Sequence, residues 1–212
     1  MSAGLFITFE GTEGSGKSTQ INLIARRVEA KGRRVRVLRE PGGTPIGEEI
    51  RHTLQHSASN AAMTPEAELL LINASRAQLV REVIRPALEA GEVVLCDRFY
   101  DSTTAYQGYG RGLDLGLVEW VVGFAVGSTR PRLTLLLHIP LEISESRRRH
   151  RQTRTPSPRD RMEQADRQFF ERVEQGFLAI AAKEPARVRL VDATGSRETV
   201  LETIWNLVCP LL

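Results

Sequence analysis

The chain has 212 residues and a mass of 23.7 kDa, and 41% of its residues are hydrophobic and 26% charged, as in ordinary globular proteins. Its apolar runs are far shorter than the roughly 20 residues of a membrane-spanning helix, and its first residues lack the basic and apolar regions of a secretory signal. Two cysteines, Cys96 and Cys209, exclude a disulfide scaffold and fit a reducing cytoplasm. We expect one domain spanning residues 1–212.

The net charge of +3 hides an asymmetry along the chain. Residues 147–161 carry seven arginines and one aspartate, a charge of +6, so the remaining residues sum to −3. Such a basic segment can form a solvated face, or it can bind nucleic acid, an acidic membrane or a small phosphate ligand. The rest of the sequence has to decide between these alternatives.

In the N-terminal half, the pattern of apolar residues predicts three strands, at 5–9, 34–39 and 93–96. It also predicts three helices, at 17–31, 45–55 and 65–90. Gly32 ends the first helix, and the run Thr64-Pro65-Glu66 is typical of a helix start. Pro86 is expected to kink the third helix or to split off its last turn.

The C-terminal half predicts strands at 133–137 and 188–191, a loop at 153–158, and helices at 113–126, from Leu141 into the arginine segment, at 160–182 and at 198–208. The Gly-rich stretch that holds Tyr106 and Gln107 is taken as a loop. Because strands alternate with helices and most strands are apolar on both faces, we expect a parallel sheet covered by helices on both sides.

A phosphate-binding loop lies between the first strand and the first helix. Its residues fit the pattern G-x-x-x-x-G-K-[ST], and with the next residue they form the predicted ATP site: Gly11, Thr12, Glu13, Gly14, Ser15, Gly16, Lys17, Ser18 and Thr19. Glycines let backbone N–H groups wrap a phosphate chain, and the helix N-terminus adds its dipole. Lys17 would reach the β- and γ-phosphates, and Ser18 would bind Mg²⁺. The fold class is therefore a P-loop NTPase-like three-layer α/β/α architecture with a five-stranded parallel sheet.

A second pair of polar residues, Asp97 and Arg98, follows the buried strand at 93–96. In open parallel sheets the ligand lies outside the carboxyl ends of the strands. Asp97 is therefore predicted to hold Mg²⁺ through water. The alternative is that Asp97 pairs with a nearby arginine and only shapes the turn.

Four stretches carry a family resemblance: 9–19 (FEGTEGSGKST), 39–44 (REPGGT), 97–99 (DRF) and 105–112 (AYQGYGRG). Their order and spacing resemble those of thymidylate kinases, which make dTDP from dTMP and ATP. A fifth stretch, 160–163 (DRME), stands where the lid of that family ends. The second and fourth stretches are much more specific than the phosphate-binding loop, and the resemblance covers nearly the whole chain.

The resemblance implies roles for individual residues. Lys17 and Ser18 would serve ATP and Mg²⁺, Asp97 would be the Mg²⁺-linked acid, and Arg98 would be the cation between the donor and acceptor phosphates. Glu13 would lie near the acceptor sugar and the metal. The implied dTMP site consists of Arg39, Pro41, Arg51, Ile72, Arg76, Arg98, Ser102, Tyr106 and Gln107. Ser102, Tyr106 and Gln107 would read thymine and exclude a 2′-hydroxyl, whereas Ile72 stands where the family commonly has a phenylalanine that stacks on the base.

The basic segment gains a role from the same resemblance. One branch of the family carries a catalytic arginine inside the phosphate-binding loop, at the position of Gly14, and the other supplies it from a lid. Residues 147–161 fit that lid. An arginine at the transferring phosphoryl group can raise the rate by several orders of magnitude. The predicted candidates are Arg149, Arg151 and Arg154, followed by Arg159 and Arg161.

Two alternatives remain open from the sequence. The first is a kinase with a broader pyrimidine monophosphate specificity that includes dUMP, which Ile72 would favour. The second is a P-loop protein that is not a kinase and binds DNA or RNA through its arginines. The preferred hypothesis has ATP and dTMP as partners, no nucleic acid and no membrane. It also includes a cytoplasmic homodimer formed through the helices that begin at Pro65 and near Leu113.

Overall fold

The centre of the molecule is a five-stranded sheet. The computed structural model describes residues 3–57, 59–154 and 166–212. The strands are β1 (Leu5–Glu10), β2 (Val35–Arg39), β3 (Val93–Asp97), β4 (Leu133–His138) and β5 (Val188–Asp192). They lie in the order β2-β3-β1-β4-β5, and every neighbouring pair is parallel. The predicted fold class is confirmed.

Helices cover both faces of the sheet. They are α1 (Lys17–Ala30), α2 (Pro45–Gln55), α3 (Pro65–Leu79), α4 (Arg85–Glu89), α5 (Tyr100–Thr103), α6 (Leu115–Val126), α7 (Leu141–Arg154), α8 (Arg167–Lys183) and α9 (Arg197–Val208). Short 3₁₀ turns occupy Asn60–Ala62 and Cys209–Leu211. No helix in the described part of the chain has the length and apolar character needed to cross a membrane.

The long helix predicted at 65–90 is interrupted where proline interferes. A π-helical segment, Val80–Ile84, joins α3 to α4, and Pro86 stands at the start of α4. Proline has no N–H to donate and its ring crowds the carbonyl four residues earlier, so the hydrogen-bond ladder is disturbed just upstream. The interruption expected at Pro86 is therefore present as a widened turn.

Two element predictions were wrong. The stretch around Tyr106 is helical, because α5 continues into a second π-helical segment, Thr104–Gly110. Its glycines suggested a loop, but Ala105 and Tyr106 are buried in an apolar cluster with side chains of α8, and this packing overrides the local preference. The helix predicted to begin at Asp160 begins at Arg167, after the N-cap Asp166. Residues 160–165 lie outside the described part.

The core lies on both faces of the sheet and fixes the position of the site. Alternate residues of β1 point to opposite faces, so Ile7 packs with α1 and α9 whereas Phe6 packs with α3 and α6. The register of β1 and β3 pairs Phe9 with Asp97. The phosphate-binding loop therefore leaves the sheet directly beside Asp97 and Arg98.

Candidate active site

The phosphate-binding loop is held from outside by α7. The Ser144 hydroxyl donates to the Glu13 carbonyl at 2.7 Å, and Arg147 Nη1 donates to the Gly14 carbonyl at 3.1 Å. The C=O and N–H of a planar trans peptide point in opposite directions. Fixing the Glu13 carbonyl toward α7 therefore turns the Gly14 N–H away from α7, toward the inside of the loop where a phosphate would lie. The Ser15 N–H, on the next peptide, donates to the Thr12 carbonyl at 3.4 Å and closes the loop.

Gly14 is tightly enclosed. Its φ of +76° is a backbone conformation that residues with a side chain rarely adopt, and a Cβ there would lie 3.2 Å from Arg147 Cβ and 3.3 Å from the Ser144 carbonyl oxygen. These α7 atoms would have to shift by a few tenths of an ångström to admit a Cβ. The backbone and the packing therefore disfavour a side chain, including that of an arginine, at this position.

Lys17 is buried within the loop. Its Nζ donates to the carbonyls of Gly11 and Thr12, at 3.1 and 3.0 Å. Burial lowers the pKa of Lys17 to about 8, and the positive charge of Arg98 acts in the same direction. The ammonium group is thus fixed at the centre of the loop, where it can contact a phosphate chain.

Ser18 and Asp97 place two oxygen donors side by side. The Ser18 hydroxyl donates to Asp97 Oδ2 at 2.6 Å, and among the described residues Asp97 forms no ion pair with an arginine. Hydroxyl and carboxylate oxygens suit Mg²⁺, which usually takes few protein ligands and completes its shell with phosphates and water. The residues present fit a Mg²⁺ ion.

Arg98 stands between the phosphate-binding loop and α5. Its φ of +68° is left-handed, which is uncommon for a residue with a side chain. Nη1 donates to the Gly11 carbonyl and to Ser102 Oγ, both at 3.1 Å, and Nη2 donates to Tyr106 Oη at 3.3 Å. Burial disfavours the charged form of Arg98 and acts to lower its pKa. The neighbouring Tyr106 and Glu13 outweigh this effect, so the pKa of Arg98 is raised. The guanidinium is therefore a permanently charged group.

A cavity of about 470 Å³ opens beside Arg98, a size typical of small-ligand sites. Its lining includes Lys17, Ser18 and Asp97 together with every side chain predicted for the dTMP site: Arg39, Pro41, Arg51, Ile72, Arg76, Arg98, Ser102, Tyr106 and Gln107. Glu13, Gly14, Gly16 and Thr19 also line it. The structure thus brings the two predicted substrate sites together, with Gly11, Thr12 and Ser15 in the loop behind the lining.

Two arginines at the rim of the cavity share one acceptor. Arg39 Nη1 and Arg51 Nη1 donate to the Pro41 carbonyl, at 3.0 and 2.9 Å. Arg39 also forms an ion pair with Glu48 at 2.8 Å. The shared carbonyl holds the two guanidinium groups side by side at the carboxyl end of β2, and Glu48 offsets part of their charge.

Arg76 is a buried hub in the wall of the cavity, with 1% of its surface exposed. It pairs with Glu40 through Nε and Nη2, and it donates to Asn73 and Thr103 through Nη1. Nη2 also donates to the Phe99 carbonyl at 3.2 Å. The hydrogen bonds to Glu40, Asn73, Thr103 and Phe99 use four of the five N–H donors of the guanidinium. Arg76 therefore holds together the segments that form the acceptor wall.

The NH₂ group of the Gln107 side-chain amide is hydrogen-bonded within the protein. Its Nε2 donates to Glu68 Oε1 at 2.7 Å, and Arg111 donates to the same buried carboxylate. The hydrogen-bond network thus assigns the orientation of the amide. The carbonyl oxygen of Gln107 is left as the acceptor that this side chain can offer to a ligand.

Comparison with known proteins agrees with this geometry. A family model described as thymidylate kinase matches residues 9–204. The chain belongs to the thymidylate kinase family. The thymidylate kinase of Syntrophotalea carbinolica is 49% identical over 201 residues, which cover 94% of this chain and 93% of that protein. The one from Deinococcus radiodurans is 48% identical over 208 residues, 98% of each chain.

A solved structure supports the same assignment. The crystal structure of a thymidylate kinase from Ehrlichia chaffeensis superposes with a TM-score of 0.78 at 30% identity, and it covers 97% of this chain and 99% of that one. The resemblance inferred from the sequence motifs is therefore confirmed.

Sequence reasoning missed several residues of this thymidylate kinase-family site. Phe170 lines the cavity, and Arg148 lies over its ring at 4.4 Å. The adjacent pair Phe169-Phe170 on an amphipathic helix was the available signal, but both rings are buried in one apolar cluster, as ordinary core residues would be. Glu10, Thr103, Ser144 and Arg147 were also not among the candidates, because their roles depend on contacts between distant segments.

The predicted lid arginines are only partly described. Arg149 is exposed and pairs with Glu145 at 3.9 Å, and it does not line the cavity. Arg151 and Arg154 belong to α7, but their side chains lie outside the description, as do residues Arg159 and Arg161.

Proposed function

We propose that this thymidylate kinase-family chain transfers the γ-phosphoryl group of ATP to dTMP, giving dTDP and ADP for dTTP synthesis. The observation that carries the proposal is the position of Arg98. Its guanidinium contacts Gly11 on the donor side and Ser102 and Tyr106 on the acceptor side of one continuous cavity. Phosphoryl transfer requires the two phosphates to meet in line at such a cation.

The donor side would bind the phosphates of ATP mainly through backbone amides, the N-terminus of α1 and the Lys17 ammonium. Ser18 and Asp97 would hold Mg²⁺, as their 2.6 Å contact and oxygen donors allow. When bound, Mg²⁺ neutralises charge on the β- and γ-phosphate oxygens. Glu13, which lies 3.9 Å from Arg98, would face the acceptor sugar.

The acceptor side fits a thymine base. The Gln107 carbonyl oxygen can accept a hydrogen bond from thymine N3–H, whereas N3 of cytosine carries no hydrogen. Tyr106 is fixed by Arg98 over its ring at 5.0 Å, and it would crowd a 2′-hydroxyl. Ile72 would give apolar contact, and Phe170 would supply an aromatic surface in the same cavity.

The mechanism needs no protein general base, because the phosphate oxygen of dTMP is already largely ionised at neutral pH. Catalysis consists of positioning together with charge neutralisation by Lys17 and Arg98. We infer that a further arginine comes from residues 147–161, with Arg149, Arg151 and Arg154 as candidates. The left-handed backbone and the crowding at Gly14, which disfavour a side chain there, support this source.

The nucleic-acid alternative gains no support from the described part of the basic segment. Arg147 bonds to the carbonyls of Gly14 and Ala193, Arg148 lies over Phe170, and Arg149 pairs with Glu145. These arginines make contacts within the protein, and one of them supports the phosphate-binding loop. We therefore propose nucleotides, and not nucleic acids, as the partners.

A homodimer and a cytoplasmic location complete the proposal. Trp120 and Phe124 of α6 stack on each other with 69% and 75% of their surfaces exposed, and Leu70 of the adjacent α3 is 60% exposed. An apolar face of this kind on paired helices suits a second copy of the chain. Sedimentation equilibrium should give a dimer that Trp120→Glu converts to a monomer, and a monomeric parent protein would remove this part of the proposal. The free thiols of Cys96 and Cys209 suit a reducing cytoplasm.

The function is tested by identifying the products. With γ-labelled ATP, Mg²⁺ and dTMP, label should appear in dTDP in equal amount to the ADP formed. The Arg98→Ala variant should lose about 10³-fold or more in kcat without loss of its fold. Release of labelled inorganic phosphate without dTDP would contradict the assignment.

A further inference from the structure

Glu10 is a buried carboxyl group that the mechanism above does not use. It is the last residue of β1, it is completely inaccessible to solvent, and it directly precedes the phosphate-binding loop. Burial raises the pKa of Glu10 to about 8, and the nearby Asp101 acts in the same direction. Burying a carboxyl group costs folding free energy. Its presence at the edge of the site therefore indicates a function that offsets this cost.

The contacts of Glu10 lead to the segment that carries Arg98. Oε1 accepts the Phe99 N–H at 2.7 Å, and Oε2 accepts the Ser102 hydroxyl at 2.5 Å. The oxygen of that hydroxyl accepts Arg98 Nη1 at 3.1 Å. One carboxyl thus holds the backbone immediately after Arg98 and, through one hydroxyl, the guanidinium itself.

The backbone of Arg98 needs such a restraint. Its left-handed φ of +68° is unfavourable for a residue with a Cβ, so the following peptide must be held to maintain it. Glu10 binds the N–H of Phe99, and Arg76 binds the Phe99 carbonyl from the other side at 3.2 Å. Phe99 is therefore anchored at both of its polar backbone groups.

We propose that Glu10 is a positioning residue for phosphoryl transfer, which fixes the left-handed backbone of Arg98 and, through the Ser102 hydroxyl, the direction of its guanidinium. This inference rests on the role proposed for Arg98. A displacement of about 1 Å in a catalytic group can cost about 10²-fold in rate, so loss of this restraint should affect kcat.

The test is a double-mutant cycle between Glu10→Gln and Arg98→Ala. Glutamine keeps the shape and the acceptor for Phe99, but above the pKa of Glu10, about 8, its NH₂ group meets the Ser102 hydroxyl where a carboxylate oxygen would accept it. The rate of dTDP formation from γ-labelled ATP is therefore measured at about pH 9 and at saturating substrates for the parent, both single variants and the double variant. The Lys17→Ala protein gives the background.

The expected result is strong non-additivity. Glu10→Gln should lower kcat about 10- to 100-fold in the parent but less than about twofold in the Arg98→Ala background, because the group it positions is absent there. A decrease by the same factor in both backgrounds, or no decrease in the parent, would overturn the proposal. If Arg98→Ala itself keeps the parental kcat, the role proposed for Arg98 fails first, and the two failures are thereby distinguished.

Two further variants separate positioning from folding. Asp101→Asn removes a neighbouring buried carboxylate whose hydrogen bonds are to Arg187 and Thr134 and not to Arg98. Any loss of kcat that it causes should therefore be the same factor in the parent and in the Arg98→Ala protein. Ser102→Ala leaves the bond between Glu10 and Phe99 intact but cuts the link to the guanidinium. Ser102→Ala should lower kcat. Glu10→Gln should then lower kcat by a smaller factor in the Ser102→Ala protein than in the parent. Full additivity of Ser102→Ala and Glu10→Gln would count against the proposal even if Glu10→Gln alone folds poorly.

Discussion

The donor and acceptor sides of the cavity are built in different ways. The donor side is one continuous stretch, 11–18, in which backbone groups are proposed to do most of the binding and α7 fixes two carbonyls from outside. The acceptor side is assembled from side chains of separate elements, which buried charged groups such as Arg76 and Glu68 hold in place. Most side chains of the donor loop should therefore tolerate substitution, whereas each acceptor side chain depends on its buried partner.

Lys17 and the proposed Mg²⁺ ligand Ser18 are the exceptions on the donor side, and Lys17 should give the largest effect on activity. Lys17→Ala should lower kcat by about 10³-fold or more, because it removes the charge proposed to meet the β- and γ-phosphates. The melting temperature should change little, since the hydrogen bonds of the ammonium are to two backbone carbonyls and burial opposes its charge. Lys31→Ala, just after the same helix, is the control and should keep parental kinetics. Parental turnover in Lys17→Ala would contradict the donor assignment.

Arg76 should give the largest effect on stability. Arg76→Met strands the Glu40 carboxylate, whose side chain is 2% exposed, and should cost about 3–5 kcal/mol in the free energy of unfolding. Arg39→Met breaks a comparable ion pair with Glu48 whose side chains are 48% and 44% exposed, and should cost less than about 1 kcal/mol. Urea unfolding of both variants checks the difference. Equal losses would show that the acceptor wall does not depend on its buried hub.

Glu10 should make stability depend on pH. Its pKa is about 8 in the folded protein against an ordinary 4.5, because of burial and then Asp101, while Ser102, Arg98 and the Phe99 N–H oppose the shift. Between these values the folded state binds more protons than the unfolded state, so this contribution to stability is present below about pH 4.5 and is lost as the pH rises to about 8.

This prediction is checked by unfolding the parent and Glu10→Gln in urea across that pH range. The parent should lose stability relative to the variant as the pH increases. A difference between the two proteins that stays constant with pH would show that Glu10 does not titrate in this window.

Phe170 should give the smallest effect, and one restricted to the acceptor. Phe170→Leu should raise KM for dTMP about three- to tenfold, the value of one aromatic contact, and leave KM for ATP unchanged. Leu178→Ala, an exposed position on the same helix, is the control. An unchanged KM for dTMP would leave Ile72 as the sole apolar base contact among those proposed here.

The same difference between the two sides explains what the sequence could predict. Lys17, Ser18 and Asp97 were found because a local motif and a strand end place them, and the alternation of apolar strands with helices predicted the sheet. Arg51 and Arg76 came only from the family resemblance, since an arginine on a helix carries no local mark of burial. Glu10 and Arg147 were missed because their partners, Ser102 and Gly14, are distant in sequence. The segment Thr104–Gly110 was misjudged because packing against α8 makes it helical.

Acceptor selectivity tests the proposed phosphorylation of dTMP most directly. A coupled ADP-release assay with ATP and Mg²⁺ would compare dTMP, dUMP, UMP and dCMP with a reaction that contains no acceptor. We predict the highest kcat/KM with dTMP and a lower value with dUMP, which lacks the methyl group that Ile72 and Phe170 would contact. Turnover with dCMP or UMP should be small, because Gln107 offers an acceptor to N3–H and Tyr106 crowds a 2′-hydroxyl. Equal rates with dTMP and dCMP, or ADP release that does not depend on any acceptor, would contradict the proposed function.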